Sequence, residues 1–304
     1  MVNIAALGNP DLAAKIGKKG TVSDIAMYNY KGPEGNITFI HPHRYPDRIQ
    51  PLLYMVNLSH GALLVVNNLD KYFGEQVIAL QMREISQGII VLRNYIDPEQ
   101  VKAITKGTVL QSYEFMEEDP IEIRERLAEI PMKNSEGATK IPIDHFFPVK
   151  GVGTVVLGTV MRGEVRVHQE LQAYPYDFKV QVKSIQVHDK DVDSAGTGSR
   201  VGLALKGVKP EDLDRGITLA EPGTMEVGTE FEMKPELTPF WKGEIKDGMV
   251  LHLSSGTQFV PAKVSGEHLV LEKKIAYTED EDILLIQADS MPRIIGKTRL
   301  KAVR

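Results

Sequence analysis

The sequence has no cysteine and only one tryptophan in 304 residues. The missing thiols exclude disulfides, thiol nucleophiles and zinc centres built on thiolates. Long apolar runs are missing too, since none approaches the ~18 residues of a membrane-crossing helix. The opening residues, Met1 to Gly8, lack a basic leader and a cleavage site. These absences point to a cytoplasmic protein. Excess positive charge is also lacking: the formal net charge is −5, with 13 basic against 16 acidic residues in 1–130, 12 against 12 in 131–225 and 11 against 13 in 226–304. No segment is basic as a whole, so an RNA contact has to come from a patterned face aided by shape or a specific pocket. Neither DNA nor a membrane is an expected partner. With 42% hydrophobic and 25% charged residues, the chain can build packed cores.

The first 130 residues alternate apolar runs with amphipathic stretches. Val2–Leu7, Ile37–Ile40, Ala62–Val66 and Gly88–Leu92 have the length and β-branched content of buried parallel strands. Glu75–Glu84 carries Val77, Ile78, Leu80 and Met82 at helical spacing. Asp119-Pro120-Ile121-Glu122 is a helix-start signature, with Ile123, Leu127 and Ile130 following on one face. This pattern predicts an α/β domain over 1–132.

After the polar stretch Pro131 to Gly137 the texture changes to short strands. Phe178–Val187 alternates almost strictly, which buries one face and exposes Lys179 and Lys183. Thr154–Met161 and Glu164–Val167 flank Arg162-Gly163 as a hairpin would. A second set of strands starts near Val227 and includes Val250–Leu253, Phe259–Val264, Leu269–Leu271 and Ile283–Ile286, with a turn at Ser254-Ser255-Gly256. Two small β-barrels are expected, over 133–225 and 226–304.

One string is more specific than any short motif. It runs from Ile143-Asp144-His145-Phe146-Phe147-Pro148-Val149-Lys150-Gly151-Val152-Gly153-Thr154 through Val160, and continues in Ser184-Ile185-Gln186-Val187-His188, Arg200-Val201-Gly202-Leu203-Ala204 and Arg215-Gly216. Residues 142–220 resemble the second domain of translational GTPases of the elongation factor Tu and SelB branch. The resemblance implies a degenerate GTPase-like α/β domain followed by two EF-Tu-like barrels. It also implies that the rim of the first barrel receives the acceptor end of an aminoacyl-tRNA, at Asp144, His145, Phe147, Gln186 and Arg200, with Ala204 nearby. Phe147 would offer an aromatic face and Arg200 a charge for a phosphate or a ribose hydroxyl. The plainer alternative makes Phe147 core and Arg200 a solvated strand end.

In such factors a GTPase domain precedes this barrel, yet the residues that grip the nucleotide are replaced here. A phosphate loop needs glycines, a lysine and a hydroxyl in G-x-x-x-x-G-K-[ST]. After the first strand stands Gly8-Asn9-Pro10-Asp11-Leu12-Ala13-Ala14-Lys15, in which Pro10 has no N–H to donate. Where the family has Asp-x-x-Gly and a histidine, this chain has His41-Pro42-His43-Arg44 and Tyr45. Only a few residues separate Lys15 from Gly20-Thr21, so the first switch region is mostly deleted. Asn94-Tyr95-Ile96-Asp97 matches the guanine-reading Asn-Lys-x-Asp in part, and Asp97-Pro98-Glu99-Gln100 also reads as a helix cap, which is the preferred reading. No catalytic residue, metal ligand or cofactor is expected, and GTP with magnesium lacks a cradle.

The remaining motifs read as structure. Gly296-Lys297-Thr298 lies in a strand-like stretch; His41 and His43 read as a surface loop without a third metal ligand; Asp189, Asp191 and Asp193 read as a solvated hairpin; Glu279 to Asp282 reads as an acidic turn. Three functions stay open: a SelB-like protein that binds tRNA, aminoacyl-tRNA or the ribosome without hydrolysing GTP; a GTP-binding elongation factor for a special aminoacyl-tRNA; and a protein-binding scaffold.

Overall fold

The computed structural model describes residues 1–33, 35–131 and 136–303. Most of the linker expected at Pro131 to Gly137 falls outside them. The chain forms two compact units: Met1–Met132 with Pro235–Glu244 and Leu284–Lys297, and Lys133–Lys234 with Ile245–Ile283 and Thr298–Arg304. Residues 226–304 therefore contribute strands to both.

In the first unit the elements run β1 (Val2–Leu7), α1 (Asp11–Ile16), β2 (Lys18–Val22), β3 (Ala26–Gly32), β4 (Gly35–His41), α2 (Gln50–Leu58), β5 (Gly61–Val66), α3 (Lys71–Met82), β6 (Gly88–Leu92), α4 (Pro98–Ile104), β7 (Glu114–Phe115) and α5 (Pro120–Ala128). The described residues form one sheet ordered β2-β3-β4-β1-β5-β6-β7. The four predicted strands are its parallel centre, registered Ile4↔Phe39, Ala5↔Ala62 and Leu64↔Ile90. They are mostly apolar, with Asn3 and Thr38 the buried polar exceptions, because both faces are covered. Val2, Ile4 and Ala6 pack with Leu12, Ala13, Ile123 and Leu127 of α1 and α5. α2 covers β1 and β4 on its own eight buried residues. Each such Leu or Ile contributes about 1.5–3 kcal/mol on burial. The edge hairpin β2–β3, in which β3 is antiparallel to β4, was not expected: β2 is polar and exposed, and the apolar start of β3, Ala26 to Tyr28, is only three residues long.

Three described helix starts, α3, α4 and α5, rest on aspartate caps, at Asp70, Asp97 and Asp119. Asp119 accepts from the amides of Ile121 and Glu122 at 2.8 and 3.2 Å, as its sequence predicts. Asp70 accepts from Tyr72 and Phe73 at 2.9 and 3.0 Å, so α3 begins four residues before the apolar spacing suggests. His41 is not on a surface loop. It ends β4, buried, with Nδ1 3.0 Å from the Ala6 carbonyl, and burial lowers its pKa. No described helix is long and apolar enough to cross a membrane.

In the second unit, β8 (Lys140–Val149), β9 (Gly153–Thr159), β10 (Glu164–Arg166), β11 (Glu170–Tyr174), β12 (Phe178–Val187), β13 (Lys190–Val192), β14 (Ser194–Gly196), β15 (Arg200–Lys206) and β16 (Thr218–Ala220) follow. The order β11-β16-β8-β9-β15-β12, with β12 pairing back onto β11, closes a barrel. Ile141, Val156, Leu171, Val182, Leu203 and Leu219 fill it. Gly158 is required by close approach: a Cβ there would lie 2.7 Å from the Pro142 carbonyl oxygen. The hairpin expected at Arg162-Gly163 does not form. β9 lies between β8 and β15, whereas β10 pairs with β14, because the Lys140 amide takes the Arg162 carbonyl at 3.0 Å and ties the turn to β8.

Of the later strands, β17 (Glu226–Glu232), β19 (Val250–Ser255), β20 (Gln258–Ser265) and β21 (His268–Tyr277) form the run β17-β21-β20-β19 in the second unit. In the first unit β18 (Glu236–Leu237) pairs with β23 (Ile294–Thr298) at Leu237↔Gly296, which makes Gly296 and Lys297 strand residues; β22 (Ile283–Ile286) is buried throughout. The acidic turn is more than a turn: Glu281 binds Lys140 Nζ and Ser255 Oγ, each at 2.6 Å, and Asp282 accepts from Arg299 at 2.9 Å.

Candidate functional site

The turn after β1, where no phosphate cradle is expected, and the barrel rim, where acceptor-end binding is expected, differ sharply. At the carboxyl end of β1 the chain turns on Gly8, at φ +79°, where a Cβ would come within 2.0 Å of the Val65 carbonyl oxygen. α1 starts at Asp11, so only Gly8, Asn9 and Pro10 lie between strand and helix. The first helical amides are met from within. Asp11 N–H donates to Asn9 Oδ1 at 3.1 Å and Leu12 N–H to Asp11 Oδ1 at 2.8 Å. The Asp11 carboxylate thus stands at a helix start where an anion is electrostatically favoured.

Arg93, next after β6, binds Asp11 at 3.0 Å and grips Glu118 through Nε and Nη2, both at 2.7 Å; Lys15 reaches Glu118 at 3.2 Å. The Arg93 hydrogen bond is the main reason Glu118 is held below the usual carboxylate range. A phosphate approaching this turn would face two carboxylates already paired with the local cations.

The partial guanine motif is spent on backbone. Asn94 and Tyr95 both adopt positive φ, 55° and 56°, and Asn94 Nδ2 donates to the Asn67 carbonyl at 2.9 Å. Asp97 caps α4, accepting from the Glu99 amide at 2.9 Å. Tyr95, in place of the family's lysine, lies wholly in solvent.

The barrel rim is assembled across strands. The register runs His145↔Leu157, Leu157↔Gly202 and Gly202↔Gln186, linking β8, β9, β15 and β12 in one transverse row. Phe147 sits two residues along from His145 and is 38% exposed, so it is not core. Arg200 is not a solvated strand end either. Its guanidinium forks onto Asp144, with Nη2 2.8 Å from Oδ2 and Nη1 on Oδ1, and His145 Nδ1 lies 2.8 Å from Oδ2. The Asp144 and Arg200 side chains are only 6% and 10% exposed. Burial alone would raise the Asp144 pKa, but Arg200 and His145 outweigh it and hold the carboxyl below its ordinary value. Gln186 stays exposed and donates to Asp191 at 3.0 Å.

A neighbouring feature escaped sequence reasoning. A cleft of about 690 Å³ is lined by Lys150, Lys183, Lys206 and Lys209. Barrel closure collects them from distant positions in a segment of zero net charge, so no local run signalled them.

Residues 153–220 match the family model for elongation factor Tu domain 2. The selenocysteine-specific elongation factor of Methanocaldococcus jannaschii is 30% identical over 290 residues, 87% of this chain and 61% of that protein. The chain belongs to the EF-Tu/SelB-like translational GTPase family. An uncharacterised M. jannaschii protein is 39% identical over 292 residues, 94% of each chain. The crystal structure of the translation elongation factor SelB of Methanococcus maripaludis, in complex with the GTP analogue GppNHp, superposes with a TM-score of 0.85 at 24% identity, covering 100% of this chain and 79% of that one. A bacterial selenocysteine-specific elongation factor gives 0.77 at 17% identity, covering 98% and 58%. This EF-Tu/SelB-like chain thus spans about three fifths of the length of the M. jannaschii elongation factor.

Proposed function

We propose that this SelB-like chain is a cytoplasmic translation factor that binds the acceptor end of an aminoacyl-tRNA, in a ribosomal context, without binding or hydrolysing GTP. The observation that carries the reading is the contrast between the two places. The rim presents Phe147, His145 and Gln186 around a buried Asp144–Arg200 pair, whereas Asp11 and Glu118 already hold the cations at the turn after β1. Phe147 supplies a stacking face for the terminal base. Arg200 is neutralised by Asp144, which favours an esterified amino acid with an uncharged side chain. The lysine cleft supports contact with the phosphodiester backbone, which its four ammonium groups complement.

The test is retention of aminoacylated against deacylated tRNA on filters across a salt series. Preference for the aminoacylated form, affinity falling with salt and about a tenfold loss in Phe147→Ala support the reading. Absent or salt-independent binding favours a protein scaffold. Submicromolar GTP affinity by calorimetry favours a working GTPase.

A further inference from the structure

α3 carries a glycine that the fold itself does not use. Gly74 lies one turn into the helix, and a Cβ built on it would meet nothing within 4 Å. Glycine destabilises a helix interior relative to alanine, and neither packing nor backbone conformation within the chain asks for it here. It belongs instead to the floor of an apolar groove of about 280 Å³, also lined by Lys71, Ile78, Ile104, Phe240 and Met291, all within the first unit. Ile104, Phe240 and Met291 are 44%, 46% and 42% exposed, a cluster of large apolar side chains in water.

The charges around the groove are unequal. Glu75, also in the lining, is fully buried and satisfied by Arg293, whose Nη2 lies 2.6 Å from Oε2 and whose Nε and backbone amide both reach Oε1. Lys71 rests its ammonium over the Tyr72 ring, 5.0 Å from the centroid, and has no ion-pair partner among the described residues. The groove is therefore an apolar cup with one uncompensated cation.

We propose that this groove docks an acidic amphipathic segment of a partner protein. A large apolar side chain of the partner sits over Gly74 between Ile104, Phe240 and Met291, and a carboxylate close to it in the partner's sequence pairs with Lys71. The missing Cβ lets the partner's chain approach α3 closely, and the lone cation selects its charge. The inference does not depend on tRNA binding or on the nucleotide question.

The probe is a fluorescein-labelled helical peptide with leucines at i and i+4 flanked by glutamates, titrated with the full chain by anisotropy. One control peptide carries lysines for the glutamates and another alanines for the leucines. The acidic leucine peptide is expected to bind best, to weaken about tenfold on Lys71→Glu and on Gly74→Leu, and to shift the methyl resonances of Ile104 and Met291. Lys71→Glu is expected to prefer the lysine peptide. Equal binding of the three peptides, no binding of any, or wild-type affinity in both variants overturns the proposal. Thermal melts check that each variant folds; if Gly74→Leu does not, the Lys71 charge swap and the methyl shifts decide.

Discussion

Asp144 and Arg200 lie 56 residues apart in sequence and neutralise each other inside the barrel wall. Arg200→Ala leaves a buried carboxylate unpaired and should cost about 3–5 kcal/mol in urea unfolding, far more than loss of an exposed arginine. Because the folded pKa of Asp144 is depressed, the pair stabilises above the ordinary carboxylate range and loses its effect as pH falls through the lowered value. The stability advantage of wild type over Asp144→Asn should accordingly hold between neutral pH and pH ~5 and shrink in stronger acid. His60 carries a second pH signature. Burial lowers its pKa to about 4 from 6.5, and its Nδ1 has no hydrogen-bond partner among the described residues. Its neutral form stabilises the fold above the unfolded value, and that contribution is lost as pH falls from 6.5 towards 4. The loss is at most about 3 kcal/mol, and His60→Gln should flatten this part of the stability profile measured by urea midpoints. The resemblance to the EF-Tu and SelB branch assigned Asp144, His145, Phe147, Gln186 and Arg200 to a common rim, but carried no information on their exposures. A bulge between Ile143 and His145 resets which side chains of β8 face outward, and the ion pair is visible only once strands are in register.

At the scale of elements, legibility follows the strength of the local signal. The four central strands and the α5 cap were readable because predominantly apolar runs and an aspartate–proline start each have one common structural outcome. The β2–β3 edge and the β10–β14 pairing were not readable, since strands that are short or carry only a brief apolar stretch are fixed by their partners rather than by their own pattern. Asp97 separates two readings of one motif. As a cap with its Oδ1 on the Glu99 amide, its change to alanine should lower stability by about 1 kcal/mol in denaturant titrations and leave any guanine-nucleotide signal unchanged. Gly74→Ala should move stability the other way, by up to about 1 kcal/mol, because the added methyl meets nothing and the helix gains propensity.

For the molecule as a whole, the family's architecture is kept while the turn after β1 is built from the chain's own carboxylates and cations. The family switches through γ-phosphate contacts that order flexible loops. Here α1 follows the strand after three residues, Gly8, Asn9 and Pro10, and Asp11 is paired with Arg93. Under the proposed function, which has no such switch, affinity is set by the partner itself. The most direct measurement is the affinity of aminoacyl-tRNA for the full chain with and without GTP and magnesium, at one salt concentration. The account predicts the same affinity in both conditions, with loss on Phe147→Ala; tightening of about tenfold or more on adding GTP would contradict it.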